Sequence, residues 1–292
     1  MKWQTKAAAI GLIESLPMSD TLYYNLQRRV TKSLPRKFSQ KYLDYLDWHI
    51  KNIETHLGSC ANAKVFEFGA GWDLFYNVWL YCHGVDSQIL VDLKPNAKID
   101  LINHEISRCQ ALTEIDVPRR PQRTITSLAD LRSIGVTYIA PRDARDTKLD
   151  DGSVNVVLST NTMEHVPFDQ LEPILVEARR ILAPGGIVSS RVDYADHYSY
   201  VDRSIGPYNY MRFSDEEWKR FNPSNHFQNR RRHCEYVALF KKAGFEIVAD
   251  ERLIEYPDAR VPDASELADR FKGFSNEDLR TTGGLFCARK SS

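Results

Sequence analysis

The chain has 292 residues, 42% of them hydrophobic and 27% charged, with 39 Lys plus Arg balanced by 39 Asp plus Glu. That length and composition suit a folded chain with a sizeable core, in one large domain or two small ones. The zero net charge argues against a nucleic-acid binder with a broad basic face and against a polybasic membrane anchor, leaving only a local patch open.

In chain order, Lys2 and Lys6 precede the apolar run Ala7–Ile13, which Glu14 cuts short, so the start reads as a helix rather than a signal peptide. Residues 1 to about 60 are predicted to be a helical extension or lid. Tyr42, Leu43, Leu46, Ile50, Ile53 and Leu57 recur at helical spacing, and Gly58 ends that helix. The texture then changes to short apolar strands at 64–68, 87–92, 136–139, 153–159 and 186–192, with two more at 245–249 and 285–288. Between the fourth and fifth strands, Leu171, Ile174, Leu175, Ala178 and Ile181 share one helical face. Strands alternating with helices indicate an α/β fold with a parallel sheet covered on both sides. The stretch from Pro95 to Gly135 is long for a connection, and Arg119–Arg123 within it reads as a surface loop. The five cysteines are scattered, odd in number and without a CxxC pair, which favours free thiols and a cytoplasmic setting. No segment approaches the length of a membrane span.

The most informative local pattern follows the first strand. Glu67-Phe68-Gly69-Ala70-Gly71 joins a strand to a helix, where glycines admit close backbone approach and a helix start offers free N–H groups. Asp92 closes the next strand, 21 residues after Gly71, in the place where a carboxylate can accept both hydroxyls of a ribose. The third glycine of a dinucleotide fingerprint is missing. Glu67 would also repel a pyrophosphate while welcoming an ammonium. A nucleoside carrying a positive group therefore suits the site better than a nicotinamide dinucleotide. A nicotinamide-dependent oxidoreductase and a non-catalytic cofactor-binding module stay as alternatives.

Val65–Asp73 resembles the first motif of class I S-adenosylmethionine-dependent methyltransferases, and Ile89–Leu93 their second. Asp143–Ser153 is similar to their adenine-binding loop. Thr162-Met163-Glu164-His165-Val166 and Glu177–Gly186 continue the series in the same order. The resemblance implies a Rossmann-like, doubly wound, mostly parallel seven-stranded sheet with an antiparallel last strand, occupying residues 61–292. It implies S-adenosyl-L-methionine as cofactor. Glu67, Gly69, Ala70 and Gly71 would frame its methionine part, Asp92 and Leu93 its ribose, Asp143 and Ala144 its adenine, and Asn161 would face cofactor or substrate. Asn155 replaces an aspartate common in that family and reads as neutral.

From Asp193 to Arg232 the sequence resembles, more loosely, a bacterial subgroup that methylates glycans or other small polar molecules. An acceptor-side insertion is placed at about 194–233. His197 and His165 follow the fifth and fourth strands and are the candidate bases, His197 having Asp193 and Asp196 beside it. Those two carboxylates with His197 are weighed as a divalent site, but no metal is expected. The tyrosines at 194, 198, 200, 208 and 210 either line a polar pocket or pack over the sheet edge. Arg230–Arg232 either grips an anion or starts a solvated helix. The expected partner is a small-molecule acceptor, such as a sugar or nucleotide-sugar hydroxyl, with no nucleic acid and no membrane.

Overall fold

The computed structural model describes residues 1–290. Its helices and strands run α1 (Trp3–Glu14), α2 (Ser19–Asn25), α3 (Gln40–Leu57), β1 (Lys64–Phe68), α4 (Phe75–Cys82), β2 (Ser87–Val91), α5 (Ile99–Ala111), β3 (Val136–Ile139), β4 (Val154–Thr160), α6 (Phe168–Ile181), β5 (Leu182–Asp193), α7 (Asp215–Lys219), α8 (His233–Lys242), β6 (Phe245–Leu253), α9 (Asn276–Arg280) and β7 (Gly283–Lys290). Gly58, at φ 78°, ends α3 in the left-handed conformation that glycine adopts most readily.

The strands form one sheet in the order β3-β2-β1-β4-β5-β7-β6. β1 to β5 are parallel, and β7 lies antiparallel between β5 and β6. The expected seven-stranded α/β sheet with an antiparallel last strand is therefore present. β6 and β7 extend past the apolar runs that suggested them, because Glu251, Arg252 and Leu253 pair with Leu285, Gly284 and Gly283. Backbone pairing continues there where apolar alternation has stopped. The long 95–135 connection also holds α5, whose Leu101, Ile102, Ile106 and Cys109 are buried against the sheet. Arg119 and Arg120 are not merely solvated loop residues. Arg120 donates to the carbonyls of Cys109, Leu112 and Ile115, and Arg119 to those of Tyr81 and Val85.

One core lies under α3, α4 and α5, with Trp48, Ile53, Val65, Trp79 and Leu90 at its centre. A second lies under α6 and α8 on the opposite face, built on Phe66, Val157, Leu175, Tyr236 and Phe286. A third joins α1, through Trp3 and Ala7, to Tyr198, Tyr208, Tyr210, Trp218 and Phe271. The cysteines are free, four of them buried, and Cys82 faces Cys109 across the α4–α5 contact. Asn155 ties strand starts together: it accepts from the Lys64 N–H at 2.7 Å and donates to the Asn62 carbonyl at 2.9 Å. That end of the sheet is remote from the glycine turn. No helix among the described residues is long and apolar enough to cross a membrane.

Candidate active site

The strand order reverses direction between β1 and β4, and in such sheets the crevice at the carboxyl ends of those strands is the ligand site. The turn Gly69–Gly71 leaves β1 there. Gly69 takes φ 71° and Gly71 φ 81°. A Cβ on Gly69 would stand 2.3 Å from Thr162 Cγ2, while the space about Gly71 is open. Thr162, from the loop after β4, also donates its hydroxyl to the Gly69 carbonyl at 3.1 Å. Glycine at 69 thus lets the two loops close on each other, and glycine at 71 leaves room for a ligand.

Asp92 ends β2 beside this turn. Its carboxylate accepts from the backbone N–H groups of Ala70 and Gly71 and from the Tyr138 hydroxyl at 2.7 Å. Burial nevertheless pushes its pKa up to about 6. Glu67 is buried too, and burial raises it to about 7, with an added push from the charge of Asp92. It accepts from Asn77 Nδ2 at 2.6 Å, so it sits under α4 rather than in the mouth of the turn. Leu93 is 69% exposed, an apolar surface open to a flat ring. Asp143 pairs with Arg145 at 2.6 Å, which holds its carboxyl below the usual range, and Ala144 is half-buried alongside. The turn, Asp92 with Leu93, and Asp143 with Ala144 thus follow the carboxyl ends of the adjacent strands β1, β2 and β3.

Asn161 adopts a left-handed φ of 55° and accepts from Arg191. Sequence reasoning missed Arg191. It is 1% exposed on β5, pairs with Asp193 at 3.1 Å and Glu255 at 3.0 Å, and lies 4.6 Å from the Tyr45 ring centroid. A lone arginine inside the apolar run Ile187–Val192 was the available signal, since a buried charge requires partners.

The loops after β4 and β5 bring His165 and His197 together, with ring centroids 4.9 Å apart. His165 Nδ1 hydrogen-bonds the Phe227 carbonyl at 2.7 Å, which requires the proton on Nδ1 and leaves Nε2 as the lone-pair atom. His197 is buried, with Nε2 3.8 Å from Asp193 Oδ2 and no hydrogen-bond partner. Burial drives its pKa down to about 3 and also lowers that of His165. Tyr200 stacks on His197 at 5.4 Å and donates to Asp193 at 2.5 Å. Asp196 faces away, accepting from Asn209 and the Tyr198 N–H.

Tyr194, Tyr198, Tyr208 and Tyr210 are buried, so the aromatic loop packs rather than lining an open pocket; Tyr200 alone of the five is exposed. Arg230 and Arg232 are neither an anion grip nor a solvated helix start. Arg232 is fully buried and donates to the Asp278, Leu279 and Thr281 carbonyls and the Tyr210 hydroxyl. Arg230 bonds Asp215 and the carbonyls of Tyr210 and Phe213. Backbone carbonyls with no ladder partner recruited these guanidinium groups, which local sequence does not reveal.

Residues 102–190, from α5 into β5, match a family model described as a methyltransferase domain. The match implies methyltransferase activity with S-adenosylmethionine as cofactor. Among solved structures, the PH0226 protein from Pyrococcus horikoshii is similar in fold, with TM-score 0.50 and 15% identity, covering 92% of this chain and 99% of its own. An S-adenosylmethionine dependent methyltransferase from Mesorhizobium loti is similar at TM-score 0.46 and 16% identity, covering 84% of this chain and 100% of its own. No curated protein matches the sequence.

Proposed function

We propose that the chain methylates a hydroxyl of a small polar acceptor, of which a sugar or nucleotide-sugar is the favoured class. The observation that carries this reading is the pairing of His165 and His197 at the exits of β4 and β5, on the same sheet edge as the glycine turn and Asn161. Gly69, Ala70 and Gly71 would hold the methionine part, Asp92 and Leu93 the ribose, and Asp143 and Ala144 the adenine. Glu67, held by Asn77, would act on a nearby ammonium through its charge rather than by contact. S-adenosylmethionine supplies an electrophilic methyl group on a sulfonium. What this chain must add is alignment of the acceptor oxygen and a place for its proton. His197 Nε2 is buried and unpartnered, so its lone pair is free to take that proton, and Asp193 would stabilise the imidazolium formed. Burial keeps the imidazole neutral but makes it a weak base, so the proton could be held there only with the Asp193 carboxylate beside it. Arg191 fixes Asn161 and Asp193 together and so positions both loops.

The test is a screen of nucleotide-sugars and other polyols with product detection by mass, alongside calorimetric titration of the cofactor. Asp92→Ala should abolish S-adenosylmethionine binding; unchanged affinity would remove the assigned ribose site. Methylation confined to nitrogen or carbon acceptors would overturn the hydroxyl assignment.

A further inference from the structure

Beside the proposed acceptor position lies a donor set that methyl transfer by itself does not require. Glu164, in the turn after β4, is 1% exposed, and neither carboxylate oxygen has a hydrogen-bond partner. His197 Nε2 is likewise buried and unpartnered. His165, its Nδ1 proton committed to the Phe227 carbonyl, keeps its lone pair on Nε2. One donor atom from each of Glu164, His165 and His197 lies within 4.8 Å of the other two. Buried polar atoms are nearly always satisfied, and two buried groups without partners, Glu164 and His197, next to the exposed His165, call for a cation.

We propose that Glu164, His165 and His197 bind a divalent transition-metal cation on the acceptor side of the crevice. Two imidazoles and one carboxylate favour a borderline cation such as Mn(II), Fe(II), Co(II) or Zn(II) over Mg(II) or Ca(II), which prefer all-oxygen shells. Donors bound at about 2.0–2.2 Å in a tetrahedral shell stand about 3.3–3.6 Å apart, so closing the shell from spacings of up to 4.8 Å requires side-chain movements of up to about an ångström. His165 already has the outer hydrogen bond that fixes the tautomer and ring plane of a metal-bound histidine. Asp193 adds a second negative charge next to His197, and Arg191, bound to Asp193 and Glu255, limits the surplus.

Three protein donors leave coordination positions open, and an acceptor hydroxyl bound there would be acidified and held in place. That last consequence rests on the methyl-transfer reading above: with the His197 lone pair engaged by the cation, the acidified hydroxyl would release its proton to solvent water as the methyl group is transferred. Binding of the cation does not depend on it. The site departs from the sequence expectation of no metal, because Glu164 and His165 are far along the chain from His197 and only the adjacency of β4 and β5 joins them.

The full chain, stripped with chelator and titrated with Co(II), Zn(II), Mn(II) and Mg(II), tests the proposal by calorimetry and by the visible absorption of bound Co(II). One equivalent of Co(II) or Zn(II) at micromolar or tighter dissociation constant is expected, with Mg(II) at least tenfold weaker. Glu164→Gln and His197→Asn should each weaken Co(II) binding at least tenfold and change its spectrum, while His104→Ala, on exposed α5 surface, should not. Thermal unfolding of each variant confirms that it folds. Absence of stoichiometric binding in the unmodified chain, or binding indifferent to both substitutions, overturns the site. Cofactor titration run in parallel separates the two readings: S-adenosylmethionine binding without cation binding refutes only the metal site, and the reverse refutes only the cofactor site.

Discussion

At the scale of single residues, the crevice is governed by what burial does to carboxylates. Asp92 is raised to about 6, so it is ionised at pH 7.5 and largely protonated at pH 5.5. If the ionised form holds the ribose hydroxyls, affinity for S-adenosylmethionine should fall about fourfold across that interval. Calorimetry at the two pH values measures it, and Asp92→Asn should bind more weakly and lose the dependence. Glu67, raised to about 7, gains its proton in an overlapping range. Glu67→Gln keeps the Asn77 partner and should leave the Asp92-linked fall in place. The two glycines of the turn make a second residue-scale contrast. Gly69→Ala meets Thr162 at 2.3 Å in a left-handed backbone and should cost about 2 kcal/mol or more of stability by urea denaturation. Gly71→Ala has open space, so its cost should stay near the backbone strain of about 1–2 kcal/mol. Its larger effect should be on cofactor affinity.

At the scale of elements, α3 is fastened to the sheet by polar contacts as well as by its apolar face. His49 is fully buried, with Nδ1 2.8 Å from Ser189 Oγ and Nε2 2.9 Å from Thr160 Oγ1, and Asn52 reaches the same serine. Burial holds the pKa of His49 near 3 against an ordinary 6.5. A base depressed in the folded state gives its full contribution above the unfolded pKa and loses it as pH falls below 6.5. His49 alone should therefore lower unfolding free energy by about 2 kcal/mol between pH 6.5 and pH 5. His49→Gln should reduce that slope in urea titrations at the two pH values. An equal slope in the variant would assign the acid sensitivity to other groups. The helical spacing of α3 is legible from Tyr42 to Leu57, whereas that of α5 within 95–135 is not. Its polar face and the loop around it diluted a pattern that the parallel β2–β3 crossover requires.

At the scale of the whole molecule, the N-terminal segment straps the two sides of the crevice. Tyr23 and Tyr24 of α2 meet Trp72 edge-on at 6.2 and 5.4 Å, next to Gly71. Trp3 of α1 packs on Tyr198, Trp218, Phe213 and Phe221 of the 194–233 insertion. Trp3→Ala removes a buried indole and should lower stability by about 3 kcal/mol or more. Limited proteolysis should then open the 197–233 segment before the sheet. α3, in contrast, contributes Leu46, Trp48, Ile50 and Ile53 to the core beneath α4 and α5. We expect a chain shortened to residue 61 to be insoluble and one shortened to residue 16 to keep the sheet, as circular dichroism and solubility would show.

The balanced composition excluded a broad basic surface, but a local polarity of acidic cofactor side and basic acceptor side does not follow from it. Arg230 and Arg232 are spent on backbone carbonyls inside the fold. Sequence by itself determined the alternation of strands and helices, the glycine turn and the position of Asp92, because each depends on contacts within about one strand-turn-helix unit. The sheet order, the depth at which Glu67 and Asp92 lie, and the partners of Arg191 depend on residues far apart in the chain. So does the meeting of Glu164 and His165 with His197. Only packing β4 beside β5 and closing both exits over the crevice brings those side chains within reach, and burial there sets their charge.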